Sequence, residues 1–139
     1  MHTNKQLVEC VPNFSEGRDL AIINQITAAI QSVEGVRLLN VDPGKATNRT
    51  VVTFVGEPSA VVEAAFRAIT KAGELINMRN HKGEHPRMGA TDVCPLIPIA
   101  GISLEETALY ARQLAKRVGD ELSIPVYCYE AAQSDKTRS

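Results

Sequence analysis

The chain has 139 residues, 44% hydrophobic and 22% charged, which suits one domain with a real core. A formal net charge of −1 gives no electrostatic ground for a nucleic-acid or acidic-surface partner. No apolar stretch reaches the roughly 18 residues of a membrane span.

Met1 to Gln6 is polar and has no signal-like apolar region, so the expected compartment is the cytoplasm. Leu7 to Val11 reads as a strand closed by a turn at Pro12-Asn13. A loop from Asn13 to Arg18 follows, and Asp19 is placed to cap a helix with the apolar stripe Ile23, Ile26, Ile30 and Val33. Gly35 ends that helix. Val36 to Val41 is a second strand, then a turn at Asp42-Pro43-Gly44, and Thr50 to Val55 is a third strand, rich in β-branched residues. Pro58 suits a first helical position, and the helix after it repeats apolar residues at Val62, Ala65, Phe66, Ile69 and Ile76. Val93 to Ile99 is a fourth strand, where Pro95 and Pro98 suggest an edge position or a bulge.

Ser103-Leu104-Glu105-Glu106 is a capping box. The helix it opens carries Leu104, Ala108, Ala111, Ala115, Val118 and Leu122 on one face. Pro125 to Tyr129 is a last strand, and residues 131–139 form a polar tail, leaving about residues 6 to 130 as the ordered part of one domain. The order βαββαβ plus an additional αβ predicts an α+β fold with helices layered on one sheet, most naturally a ferredoxin-like α/β sandwich. Cys10, Cys94 and Cys128 each fall in a strand without CxxC spacing, as expected of buried free thiols in a reducing compartment.

The polar segment from Arg79 to Asp92 holds two of the three histidines, between a helix and a strand. Loops held by rigid elements carry function disproportionately, and histidine titrates near neutral pH. A solvated loop without chemistry is the bland alternative. His81-Lys82-Gly83-Glu84-His85 also spells HxxEH, a zinc motif that needs both histidines on one helical face. Gly83 weakens a helix there and Pro86 pushes His85 toward extended backbone, so no metal is expected.

Three blocks, taken together and in order, are similar to the glutamate formiminotransferase family. They are Glu9 to Gly17 (ECVPNFSEG), Asn48 to Val51 with Thr53 to Gly56, and His81 to Ala90 (HKGEHPRMGA) with Asp92 to Pro95. The similarity covers about residues 6 to 135 and matches the N-terminal subdomain of the transferase domain. The resemblance implies transfer of a formimino group from N-formimino-L-glutamate to N5 of tetrahydrofolate, in histidine degradation. Tetrahydrofolate is then a co-substrate and no metal is needed. It implies two similar ferredoxin-like subdomains with folate largely between them, so a second subdomain or a homodimer is the expected partner, with neither nucleic acid nor membrane.

It also implies that His85 is the catalytic histidine. One imidazole between the two nitrogens can take the proton from N5 and return it to the departing glutamate nitrogen. Asp42 is a candidate to orient that ring or hold the cationic formimino group, or else it only starts the turn. Arg49 and Arg87 are candidates to grip substrate carboxylates, against plain surface charge. Asn13, Ser15 and Glu16 either present helix-start amides to an anion or cap the helix. His81 is a candidate partner of His85. A non-catalytic homologue that binds a ligand or a partner is the alternative.

Overall fold

The structure, a computed structural model, describes residues 5–44, 46–79, 90–91, 93–123 and 126–132, with side chains described for all of these but 77–79. The elements are β1 (Leu7–Cys10), β2 (Asn13–Phe14), α1 (Leu20–Gln31), β3 (Val36–Gly44), β4 (Arg49–Gly56), α2 (Pro58–Arg79), β5 (Val93–Ala100), α3 (Leu104–Leu122) and β6 (Tyr127–Glu130).

One sheet runs β3–β4–β1–β5–β6, with β2 beside β4 beyond the end of β1. All pairings are antiparallel except β5 with β6. Two β–α–β units therefore interleave: β1 and β3 bracket β4, while β4 and β5 bracket β1. On one side of the sheet Val8, Cys10, Val52, Phe54, Cys94 and Leu96 are fully buried, packed in one core with residues of all three helices. The alternating residues Glu9, Val51, Thr53, Val55, Val93, Pro95 and Ile97 are only half-buried. Successive strand residues point to opposite faces, so the helices cover one face and the other is open. The expected α+β fold, helices layered on one sheet, is what the chain forms. Each fully buried Val, Leu, Ile or Phe contributes about 1.5–3 kcal/mol to holding the layers together.

Local signals account for the helices. The Asp19 carboxylate accepts from the amides of Ala21 (3.0 Å) and Ile22 (3.4 Å) and so caps α1. The α1 helix ends at Gln31, and the chain reverses at Gly35, whose φ of 93° is one few other residues adopt. The capping box at Ser103 forms with both of its bonds. The buried stripe of α3, however, is Thr107, Ala111, Leu114 and Val118, whereas Leu104 is exposed. Thr107 tolerates burial because its hydroxyl donates to the Ser103 carbonyl at 2.8 Å.

Two turn expectations are corrected, and of the edge position or bulge expected for β5 the chain shows a register shift beside Pro98 and not an edge. The chain does not turn away at Pro12-Asn13: the Pro12 carbonyl accepts from Val52 N at 3.1 Å, and Asn13–Phe14 pair with Val51 and Thr50. Asp42-Pro43-Gly44 is strand, because β3 stays paired with β4 as far as Gly44 and Arg49. Pro43 is tolerated since β3 is an edge strand. Conversely, proline-containing β5 lies inside the sheet, between β1 and β6. The Pro95 carbonyl accepts from Val11 N at 3.2 Å, and the pairing of β1 with β5 shifts register between Leu7 and Val8. A second register shift sets the half-exposed Leu39 out of the β3 ladder.

Cys10 and Cys94 are fully buried with their sulfurs 3.4 Å apart, and Cys128 is partly buried. The Cys10 contact, with burial, pushes the Cys94 thiol well up, and the Cys94 contact raises that of Cys128. Thiols so held are poor nucleophiles. Among the described residues no helix is long and apolar enough to cross a membrane.

Candidate functional site

The polar candidates collect where β2, the end of β3 and the start of β4 meet. Asp42 pairs with Val51, which pairs with Asn13, so the three sit in one row across the sheet. Residues directly opposite share a face, and Val51 lies on the open one. Asp42 and Asn13 thus flank Val51 two strand spacings apart, roughly 10 Å between backbones. Arg49 follows the same alternation as Val51. Its Nη1 donates to the Ser15 hydroxyl at 3.2 Å, and opposite it stands Gly44, without a side chain. Asn13, Ser15, Asp42 and Arg49, far apart in sequence, therefore come together on the open face. Among the described residues the buried Asn13 Oδ1 atom has no hydrogen-bond partner.

Under this row the loop after β2 is fastened to the hairpin by three successive residues. Asn48 Oδ1 accepts from Gly17 N at 2.9 Å, Arg49 donates to Ser15, and the Thr50 hydroxyl donates to the Glu16 carbonyl. The backbones can approach this closely because Gly17 has no Cβ: one built there would lie 2.5 Å from Arg49 N.

Glu16 is buried, and its Oε2 accepts from the amides of Arg18 (3.1 Å) and Asp19 (2.9 Å). With Asp19 serving Ala21 and Ile22, four amides around the start of α1 are taken by the protein's own carboxylates. Glu16 thus ties the turn before α1 while Asp19 caps the helix, so these four amides already have carboxylate partners.

His81, His85 and Arg87 lie outside the described residues, as does the HxxEH string. The described chain resumes at Ala90, whose carbonyl accepts from Ser15 N at 3.0 Å, and Thr91 bridges to Phe14. The end of the histidine segment is thereby joined to the Asn13–Ser15 strand end. Among the described residues no group of three or more His, Cys, Asp or Glu could hold a metal.

A groove of about 380 Å³ lies elsewhere, on the helices, floored by Phe66 and lined by Glu63, Arg67 and Arg117. Arg117 stacks over Phe66 at 3.8 Å and pairs with Glu63 at 2.7 Å. Those groups join α2 to α3, and the groove is remote from the sheet-end cluster.

Sequence reading missed Asn48 and Thr50 as parts of the site. Asn48-Arg49-Thr50 stands out only as part of the second block of resemblance. Its partners lie 31 to 34 positions away, where no periodicity reaches.

Chemically, the cluster offers a guanidinium for a carboxylate, a carboxylate for a cation, and an amide and a hydroxyl for polar edges. Residues 7–139 match the family model described as the formiminotransferase domain, N-terminal subdomain. The chain is 57% identical to formimidoyltransferase-cyclodeaminase of Rattus norvegicus, over 92% of this chain and 24% of that protein. It is 54% identical to glutamate formimidoyltransferase of Thermoplasma acidophilum, over 91% of this chain and 42% of that one. To glutamate formimidoyltransferase of Streptococcus pyogenes it is 46% identical, over 90% and 42% respectively. The chain therefore spans about a quarter to two fifths of the length of these relatives.

Proposed function

The chain belongs to the family of the formiminotransferase domain's N-terminal subdomain, and on that premise we propose that it forms part of a glutamate formimidoyltransferase. The reaction moves the formimino group of N-formimino-L-glutamate to N5 of tetrahydrofolate, as a cytoplasmic step of histidine degradation. N5 attacks the amidine-like carbon, a tetrahedral intermediate forms, and the carbon–nitrogen bond to glutamate breaks. His85 accepts the proton lost by N5 and delivers it to the departing nitrogen. Asp42 holds the formimino cation or orients the imidazole. Arg49 and Arg87 grip the carboxylates of the glutamate moiety. Asn13 and Ser15 bind polar edges, His81 assists His85, and Glu16 acts by shaping the loop. Tetrahydrofolate is the co-substrate, no metal takes part, and a second subdomain or a second copy of the chain faces the open side of the sheet. We read the two interleaved β–α–β units as the ferredoxin-like form.

The observation that carries this reading is the bond from Ser15 N to the Ala90 carbonyl at 3.0 Å. Ala90 is five positions along the chain from His85, and Ser15 is the residue that receives Arg49. This bond supports the reading because it ties the residue that receives Arg49 to the chain that follows the histidine segment.

The test is His85→Ala in the complete enzyme, assayed with formiminoglutamate and tetrahydrofolate. Loss of a general acid–base should lower kcat by about 10²–10⁴-fold, and near-normal turnover would refute the role. Binding of both substrates by the unaltered enzyme without turnover would favour a ligand-binding homologue instead.

A further inference from the structure

We propose that Glu9 recognises the pterin of the co-substrate, its carboxylate accepting from the N3–H and the 2-amino group of the ring. This rests on the formimidoyltransferase reading above and assigns a residue which that reading does not use. Glu9 lies in β1 between Val8 and Cys10, which are fully buried on the helix side. Strand alternation sends Glu9 to the open face, where it is half-buried. It stands opposite Val55 of β4 on one side and Ile97 of β5 on the other, with Thr53 and Pro95 next along those strands on the same face. Among the described residues of β1, β4 and β5, the charged groups on this face are Glu9, in the middle strand, and Arg49, at the start of β4.

Glutamate is disfavoured in strands. A carboxylate amid aliphatic side chains is costly once its face is covered, unless donors meet it there. The co-substrate brings a fitting pair of donors. In a 2-amino-4-oxopyrimidine ring the N3–H and a 2-amino N–H run parallel, in the fork geometry by which a guanidinium binds a carboxylate. A carboxylate has about four acceptor sites, so a contact with the protein and a contact with the ring can coexist.

Position and charge agree with this. Asn13 follows Glu9 on the same continuous strand path, roughly 13 Å along the strand direction, which is the length of a bicyclic pterin with a contact at each end. N5 belongs to the other ring from the 2-amino group, so a pterin held at Glu9 points N5 toward Asn13 and Arg49, where the reading places the formimino donor. The carboxylates of formiminoglutamate are repelled by Glu9, as is the glutamate tail of the folate. Glu9 therefore selects the pterin end of one substrate and leaves the other to the arginines.

The experiment compares the wild-type complete enzyme with Glu9→Gln, using tetrahydrofolate and its 2-desamino analogue. KM and kcat are measured, with circular dichroism to check folding. Loss of the paired charge-assisted bonds should raise KM for tetrahydrofolate about 10- to 100-fold, with kcat changed less than about threefold. KM for formiminoglutamate should stay within about twofold. The wild type should bind the 2-desamino analogue about 10- to 100-fold more weakly than tetrahydrofolate, and in Glu9→Gln that gap should close to within about threefold.

Equal affinity of the wild type for the two folates overturns the inference without any variant. A preference that persists in Glu9→Gln overturns it too, because another group then reads the 2-amino edge. A rise in KM for formiminoglutamate instead assigns Glu9 to the other substrate, and a Glu9→Gln protein that fails to fold makes it a structural residue; either result overturns the inference while the formimidoyltransferase reading stands. A complete wild-type enzyme that neither binds nor turns over tetrahydrofolate sinks that reading, and the inference with it.

Discussion

Gly17→Ala adds one methyl group where two backbones touch. The φ of Gly17 is not in the positive region, so the substitution acts through space and not through conformation. A Cβ there would lie 2.5 Å from Arg49 N and 2.6 Å from Arg49 O, and would also press on Gly44 O. None of these is a side-chain end that can swing aside. Either the loop lifts, losing the bonds of Gly17 to Asn48 and of Glu16 to Thr50, or the Gly44–Arg49 pair opens. Overpacking of this kind costs about 1–3 kcal/mol, and each lost hydrogen bond adds about 1 kcal/mol. If the loop lifts, the total is about 3–5 kcal/mol, which for a domain of this size lowers Tm by roughly 10–20 °C. Urea unfolding followed by far-UV circular dichroism measures it, with Gly119→Ala as the control. Gly119 lies within α3 with nothing within 4 Å of an added Cβ, so alanine there should stabilise by about 0.5–1 kcal/mol. The two substitutions therefore have opposite signs. A Gly17→Ala protein that unfolds at or above the wild-type midpoint would refute the reasoning.

Thr91 is 3% exposed, and its buried hydroxyl has no partner among the described residues. Thr91→Val keeps the shape and removes the orphan, so unfolding free energy should rise by about 1 kcal/mol; a loss of that size would show a bond the structure lacks. Glu63 receives Arg117 and Arg67, each at 2.7 Å, and these partners, Arg117 first, hold its carboxyl below the ordinary value of 4.5. A depressed folded pKa contributes stability that is present above pH 4.5 and is lost as pH falls through the lower folded value. Glu63→Gln should thus cost less than about 1 kcal/mol at neutral pH, given the pair's exposure. The difference from wild type should shrink in denaturation midpoints taken below pH 4.5; a gap that widens there would reverse the assignment.

What could be read from the chain follows the range of the forces involved. Asp19, Gly35 and the Ser103 box act within one helical turn, and the helices they bound are where periodicity puts them. Leu104 was misplaced because a capping box fixes where a helix begins but not which side of it meets the sheet. Asp42-Pro43-Gly44 has the composition of a turn, yet nine consecutive residues of β3 find partners or neighbours along β4, and pairing outweighs local preference. Proline in β5 suggests an edge or a bulge; the register shift beside Pro98 realises the second, and the strand's inner place depends on β6, delivered later in the chain by α3. Arg49, Asp42, Asn13 and Ser15 were recognisable as polar candidates one by one. That they share a face depends on register, and register is a property of the whole sheet.

The two rims of the sheet are unlike its open face. Along β3 the displaced Leu39 breaks the ladder and Pro43 lacks an amide hydrogen, while β6 on the opposite rim is only four residues long. Neither rim offers a long, regular run of donors and acceptors for another strand, which protects against lateral accretion into larger sheets. Self-association by strand addition is therefore discouraged along both of the described rims.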